Sequence, residues 1–581
     1  MFKTLMKCIR EFKRDTILTP ILVAIEVIVD CFIPFLIAKL VNEIKAGCTI
    51  GTIAAYGGAL IGMAVIAMLA GWGSGVFCAK ASTGFARNVR KDMFYRIQNF
   101  SFANIDRFST SSLVTRLTTD ITNVQMSFMM LIRAAIRGPL NLVFSFVMAY
   151  IMGGSMAFIF LITIPILGGG LFLIARTAMP IFRRGFRQYD KLNETIQENV
   201  QGMRVVKSFV REEHEKKKFT DNAEALRNTF YRVEKLLALN GPLMNLCMYL
   251  TMLFVLLFGS RMIISTTGTA LDVGQLSALL TYSVQILMSL MMLSFVFVML
   301  TMSVESATRI TEVLKEESTI TSPENPVTEL KDGSIDFNGV SFRYSEHAER
   351  MALANIDLHI KSGETIGILG GTGSSKSSLI QLISRLYDAT EGTVAVGGID
   401  VKDYDLNVLR DGVAVVLQKN VLFSGTIKEN LRWGNLEATD EELIEACKLA
   451  QAHDFISQFP EGYDTFIERG GTNVSGGQKQ RLCIARALLK KPRVLILDDS
   501  TSAVDTHTDA MIRKAFKEYL PDTTKLIVAQ RVASVEDADR IIILDNGSIN
   551  AVGTHEELLA TNAIYQEVYE SQKKGGDQDG E

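Results

Sequence analysis

Thr365-Ile366-Gly367-Ile368-Leu369-Gly370-Gly371-Thr372-Gly373-Ser374-Ser375-Lys376-Ser377-Ser378 decides how the second half of this 581-residue chain folds. A short β-prone run breaks into glycine and serine and then, past a lysine, takes up helical periodicity. The break resembles the phosphate loop G-x-x-x-x-G-K-[ST], with serine at 375 where the pattern has glycine. Glycines let backbone N–H groups turn towards phosphate oxygens, and the helix that follows offers its positive N-terminus. In such a loop Lys376 reaches the β- and γ-phosphates, and the Ser377 hydroxyl holds Mg²⁺. Gly371, Thr372, Gly373, Ser374, Ser375 and Ser378 complete the cradle. A Cβ at position 375 stands close to phosphate, so binding is expected to survive in weakened form.

Working outward, further β-prone runs alternate with helical patterns from Ile335-Asp336-Phe337 to Ile541-Ile542-Ile543-Leu544. That alternation predicts a mostly parallel sheet covered by helices. The apolar run 494–497 ends in Asp498-Asp499. A carboxylate at the end of a strand beside a phosphate loop is where Mg²⁺ is held in such folds, and Asp498 takes that role. Upstream, Ser322-Pro323-Glu324-Asn325-Pro326 cannot continue a helix and marks a linker.

Before residue 305 the composition is different. Hydrophobic residues are 48% of the chain, and their excess lies there. A bilayer core needs about 20 apolar residues in a helix. Six windows qualify, near 17–41, 51–79, 138–155, 155–175, 241–260 and 273–304. Short turns at Lys45, Gly153-Gly154 and 263–272 are nearly free of positive charge, whereas Lys80, Arg87, Arg90, Lys91, Arg133, Arg137, Arg176, Arg183, Arg184 and Arg187 flank the other ends. Positive charge in short flanks marks the cytoplasmic side, so both termini are expected there. Two long cytoplasmic segments, 82–127 and 181–239, read as helical stalks with tips at Phe102–Phe108 and 201–209. Each tip is either a solvated bend or a contact that passes force to the second domain. The first sixteen residues are basic and amphipathic and read as an interfacial helix, not a cleavable signal peptide.

The expected architecture is multi-domain: an all-α transmembrane domain of six helices, then an α/β P-loop NTPase domain. Its boundaries are an interfacial helix at 1–16, six spans with two long cytoplasmic loops at 17–310, a linker at 311–330, a nucleotide-binding domain at 331–570 and a polar tail at 571–581. The net charge of −3 lacks the basic field of a nucleic-acid binder. Seven scattered cysteines, none in a CxxC pair, do not form a disulfide framework.

Ser475-Gly476-Gly477-Gln478, followed by Lys479-Gln480-Arg481-Leu482, resembles the signature motif of ABC ATPases. Tyr344 sits where that family has its adenine-stacking aromatic. Gln418 matches the glutamine loop, which implies a place beside the Mg²⁺ and the attacking water. Ser502-Ala503-Val504-Asp505 matches the loop after the magnesium aspartate. Six spans ahead of one such ATPase resemble the exporter branch of ABC transporters, and the two stalk tips resemble its coupling helices. The resemblance implies ATP and Mg²⁺ as cofactors, hydrolysis coupled to transport, and a plasma-membrane location. It also implies a dimer in which each ATP lies between one chain's phosphate loop and the other chain's signature.

Two residues depart from the family pattern. The general base is normally glutamate; here it is Asp499, one methylene shorter. The switch histidine is replaced by Gln530, which can donate a hydrogen bond but carries no charge. With the signature intact, this resembles the weaker half of bacterial heterodimeric exporters. A different ABC half-transporter is then the expected partner; a homodimer with two slow sites is the alternative. Glu26 and Asp30 share one helical face within the first span and suit a cationic substrate, a proton or a polar helix contact. Met288, Met291, Met292, Met299 and Met302 beside Phe295 and Phe297 suit hydrophobic or amphipathic compounds, such as drugs, drawn from the cytoplasm or membrane lipid. Lipid or peptide export, a non-transporting ATP-binding regulator and an importer stay open.

Overall fold

Asp272 starts the longest apolar helix of the C-terminal membrane region. Its side chain accepts from the Gln275 amide at 2.7 Å, and the Gln275 side chain accepts from the Asp272 N–H at 2.9 Å. This capping box satisfies two N-terminal N–H groups before Val273–Lys315 begins. Two residues in, Gly274 lies so close to the first membrane helix that a Cβ there would stand 2.1 Å from the Ala38 carbonyl oxygen. Close backbone approach through small residues is how helices pack where lipid leaves no hydrophobic drive between them. The bundle core holds Val23, Val27, Ala149, Leu279 and Ile286, with the fully buried Tyr282 hydroxyl donating to the Cys31 carbonyl at 2.7 Å.

The computed structural model describes residues 1–266, 268–345, 348–500 and 503–576. The chain sorts into two units. One comprises Met1–Gln98 and Ser109–Glu316; the other comprises Asn99–Phe108 and the chain from Glu317 onward. The first stalk tip thus belongs with the ATPase-like unit, although it lies inside the segment 17–310 that sequence assigns to the membrane domain.

Among the described residues of the first unit, five helical stretches are long and apolar enough to cross a membrane: Phe2–Ala46, Ile50–Gln98, Thr110–Gln201, Glu212–Ser265 and Val273–Lys315. Six windows were expected, and two of them fall within the 92-residue stretch Thr110–Gln201. There the helix Ala134–Gly153, a 3-10 turn Gly154–Ala157 and the helix Phe158–Gln201 follow without a break. The amphipathic N-terminus also differs from a single helix over 1–16. A short α-helix, Phe2–Met6, leads into a 3-10 stretch, Lys7–Phe12, kinked at Arg10 (φ 43°), and Lys13–Ala46 then starts afresh. Its apolar side chains Leu5, Cys8 and Ile9 are buried, and Arg10 pairs with Asp92 at 2.9 Å.

In the second unit the strands in chain order are β1 (Ile335–Phe342), β2 (Leu353–Ile360), β3 (Thr365–Leu369), β4 (Glu391–Val396), β5 (Ile399–Asp400), β6 (Val413–Val416), β7 (Gly425–Thr426), β8 (Phe466–Ile467), β9 (Val494–Asp498), β10 (Thr524–Val528), β11 (Arg540–Asp545) and β12 (Ser548–Gly553). The main sheet runs β12-β11-β3-β10-β9-β6, parallel except at the β12 edge. A smaller antiparallel sheet runs β2-β1-β4-β5. Alternation along β9 sends Val494 and Ile496 into the core shared with the small sheet, and Leu495 and Leu497 into the core beneath the helices. The C-terminal helix Ala563–Gly576 runs through the first residues of the expected polar tail 571–581.

Candidate functional site

Parallel strands β3, β10, β9 and β6 all end on one edge of the sheet, the edge where α/β folds bind ligands. The loops leaving them carry the phosphate loop, Gln530, Asp498-Asp499 and Gln418, so topology alone gathers the candidate residues. Gly371, Thr372 and Gly373 are exposed at the tip of the loop, while Ser374 and Ser378 are buried beneath it. The Lys376 ammonium donates to the Gly370 and Gly371 carbonyls at 2.8 and 3.0 Å. Burial pulls its pKa below that of an ordinary lysine, against the opposing pull of Asp498 and Asp499.

Ser375 shows why glycine is usual at its position. It is the N-cap of Lys376–Ile383 with φ 72° and ψ 26°. That left-handed conformation suits a residue without a Cβ.

Ser377 Oγ lies 3.2 and 3.0 Å from the two oxygens of Asp498. Asp498 is 5% exposed, and burial raises its pKa above the usual carboxylate range; neighbouring Asp499 adds to the rise, while Ser377 and Lys376 oppose it. A hydroxyl and a carboxylate at the strand end are oxygen donors of the kind Mg²⁺ prefers. A divalent cation here would also offset the cost of the buried charge, so the residues fit the ion.

Gln418 does not join this pair. Its amide nitrogen lies 3.4 Å from Asp499 Oδ2, and the Gln530 amide donates to the same oxygen at 2.9 Å. Asp499 itself has φ 48°, and its N–H is held by the Val528 carbonyl at 2.9 Å. Asp499 and Gln530 are thus in direct contact.

Tyr344 is half exposed, and its hydroxyl shares a hydrogen bond with Ser378 at 2.8 Å. Its ring meets Tyr387 edge-on at 5.1 Å. Tyr387 is a residue that the motifs do not single out. Its hydroxyl donates to Asp106 of the first tip at 2.6 Å, and its ring stacks on Phe102 at 6.1 Å. Burial raises its pKa, followed by the Asp106 bond. The tip is further tied by Asn104 to the Glu317 carbonyl at 3.2 Å and by Ser101 to Thr319 at 2.8 Å. Only an aromatic within Arg385-Leu386-Tyr387-Asp388 hints at this role in the sequence.

The signature builds a helix start. Ser475 caps Gly476–Leu488, accepting from the Gln478 N–H at 3.3 Å, while the Gln478 side chain accepts from the Ser475 N–H at 2.9 Å. Gly477 is required by contact: a Cβ would stand 2.8 Å from the Ala503 carbonyl oxygen. Gln480 accepts from the Ala503 N–H at 3.0 Å, so the loop after Asp498 is fastened to the signature helix. Ser502, expected in that loop, lies outside the described residues. Among the described residues no hydrogen bond joins 475–478 to the phosphate loop of the same chain. In the membrane unit, Glu26 and Asp30 both face Arg137, at 2.8 and 3.3 Å, which favours the helix contact among the readings open to them.

Residues 16–290 match the family described as ABC transporter transmembrane region, and residues 353–502 match the ABC transporter family. The uncharacterized ABC transporter ATP-binding protein YfiB of Bacillus subtilis is 38% identical over 95% of both chains. The uncharacterized ABC transporter ATP-binding protein Rv1273c of Mycobacterium tuberculosis is 34% identical over 97% of both. Among solved structures, a bacterial Atm1-family ABC exporter with ATP bound has the same fold, with a TM-score of 0.83 at 23% identity over 97% of this chain and 98% of that one. With a membrane-spanning helical domain and a phosphate-loop ATPase in one polypeptide, the chain belongs to the ABC transporter family and is an ATPase-coupled transporter.

Proposed function

We propose that this chain is one half of a heterodimeric exporter, holding ATP at a slow site of its own while completing a faster site on a different partner chain. The observation that carries this reading is the contact among Gln418, Asp499 and Gln530 beside an intact Ser475 cap. A general base must reach the water it activates to about 3 Å. Asp499 is one methylene short, and the carboxylate oxygen it would use already accepts two neutral amides. Neither amide can supply the charge or proton relay of a histidine. Ser475-Gly476-Gly477-Gln478, by contrast, is a formed helix N-terminus that among the described residues makes no hydrogen bond to the phosphate loop of its own chain, which supports its use across a dimer.

In this proposal the loop 370–378 and the Tyr344 ring bind ATP, and Ser377 and Asp498 hold Mg²⁺, which would neutralise charge on the phosphates. Gln530 donates to the terminal phosphate, and Gln418 links the site to the moving parts. The chain crosses the membrane six times, because Thr110–Gln201 is too long for one crossing and bends at Gly154. Both termini then lie in the cytoplasm, at the plasma membrane. The second tip, Met203–Ser208 and the residues after it, presents Val205, Phe209 and Val210 at 60%, 73% and 81% exposure. Apolar side chains so exposed on a helical tip suit a contact with the partner chain. Met288, Met291 and Phe295 are exposed along one face of the last membrane helix, which supports hydrophobic or amphipathic cargo.

The test is ATP hydrolysis by the purified transporter. Asp499→Asn is expected to leave most turnover intact, whereas removing the partner's own base abolishes it. Equal losses from the two substitutions, or brisk hydrolysis by this chain alone, would end the heterodimer reading.

A further inference from the structure

The ladder of β10 stops one residue before the switch position. Ala529 N–H still donates to the Ile368 carbonyl at 3.2 Å, and Gln530 and Arg531 then leave the sheet for the 3-10 turn Val532–Ser534. The backbone on either side of Arg531 is held instead by one side chain from the end of the chain. Gln572 donates through Nε2 to the Gln530 carbonyl at 2.8 Å, and its Oε1 accepts from the Val532 N–H at 2.8 Å. A primary amide bonded in both directions to residues i and i+2 copies one rung of a β-ladder. It fixes the backbone from which the Gln530 side chain reaches Asp499 at 2.9 Å.

The helix that carries Gln572 is itself anchored. Tyr565, Val568, Tyr569 and Gln572 recur at helical spacing on one face of Ala563–Gly576. Tyr565 is 1% exposed and donates to or accepts from His555 at 2.6 Å, and Val568 and Tyr569 pack on the core that includes Val532 and Val535. The apolar part of the face docks the helix, and its last residue grips the loop.

We propose that Gln572 is a positioning residue that holds the switch loop from the C-terminus, so that the terminal helix sets how firmly Gln530 engages the nucleotide site. The proposal rests on Gln530 contacting bound ATP, as argued above. Because Gln572 is exposed and its helix is anchored elsewhere, Gln572→Ala should fold.

Two measurements on the assembled transporter test it. Hydrogen exchange over 528–536 should quicken in Gln572→Ala by about tenfold at the Val532 amide, since each lost bond removes protection. Retention of radiolabelled ATP after a chase with unlabelled ATP should show a slow phase that Lys376→Ala removes. Gln572→Ala should shorten that phase about tenfold, and in a Gln530→Ala background it should shorten it no further. Unchanged exchange overturns the proposal, as does an added loss of retention in the Gln530→Ala background, which is what a merely structural role would give. If the slow phase persists in Lys376→Ala, the reading of this chain as an ATP-holding half fails, and the exchange result alone decides whether Gln572 holds the loop.

Discussion

Ser375 combines two costs at one position: a left-handed backbone and a Cβ at the mouth of the phosphate loop. A non-glycine residue in that conformation costs about 1 kcal/mol. Ser375→Gly should relieve that strain in the free and bound loop alike, and by removing the Cβ it should also tighten ATP binding, read by equilibrium titration with the transporter. Only half of this was visible in the sequence. The pattern flags the missing glycine, but the sign of φ comes from the loop's closure onto Lys376. Asp498 gives a pH prediction. Its folded pKa is raised, chiefly by burial, so the proton is held more tightly in the folded than in the unfolded chain. Stability from this group is present below the unfolded value, near 3.9, and is lost as pH rises through the folded one. Mg²⁺ needs the ionised form, so Mg²⁺-dependent ATP binding should fall on acidification while pH is still above the ordinary aspartate range. Asp498→Asn should remove that dependence along with most of the binding. Asp498 was legible as a carboxylate ending an apolar strand beside the phosphate loop, whereas Gln418, Asp499 and Gln530 were singled out only by resemblance to the family pattern. Their mutual contact was not legible, since it depends on side-chain reach.

At the scale of elements, the signature helix and the first tip carry the sharpest expectations. Gly477→Ala drives a methyl group into the Ala503 carbonyl, which is backbone and cannot turn away. Overpacking of this kind costs about 1–3 kcal/mol. The variant should lose most ATP hydrolysis of the assembled transporter while its own chain still binds ATP. For the tip, Tyr387→Phe keeps the ring contacts with Phe102, Phe342 and Tyr344 and removes only the bond to Asp106. Asp106 is exposed, so a double-mutant cycle with Asp106→Asn should give a coupling of about 1 kcal/mol in thermal unfolding. Substrate-stimulated hydrolysis should fall relative to the basal rate in either single variant. A cycle near zero would mean that the Tyr387–Asp106 bond adds nothing to the hold on the tip. Strands β3, β9, β10 and β11 could be read directly from their β-branched and leucine runs, since both faces are buried. The N-terminal segment was harder: basic amphipathic spacing predicts a continuous helix, and nothing local announces the kink at Arg10.

Across the whole molecule, two acids inside the membrane unit, Glu26 and Asp30, share one arginine from another helix, Arg137. Glu26 is 8% exposed and relies on Arg137. Removing one partner of a buried pair leaves the other uncompensated, at a cost of about 3 kcal/mol. Arg137→Met should lower the unfolding temperature and the yield of detergent-purified transporter, and adding Glu26→Gln should restore most of both. Retained stability in the single variant would mean that water already reaches the carboxylate. The acidic pair was legible from spacing within an apolar run, but its arginine lies more than one hundred residues away on another helix, a distance no local pattern spans.

The grouping of Asn99–Phe108 with the chain from Glu317 onward has a practical corollary. A fragment cut at the linker would carry the socket around Tyr387 but not the plug that fills it. Such a piece is expected to be stickier and less heat-resistant than the same unit supplied with a synthetic decapeptide of residues 99–108. Evolution, for the same reason, cannot exchange one ATPase cassette for another without matching a few residues buried deep in the preceding gene segment.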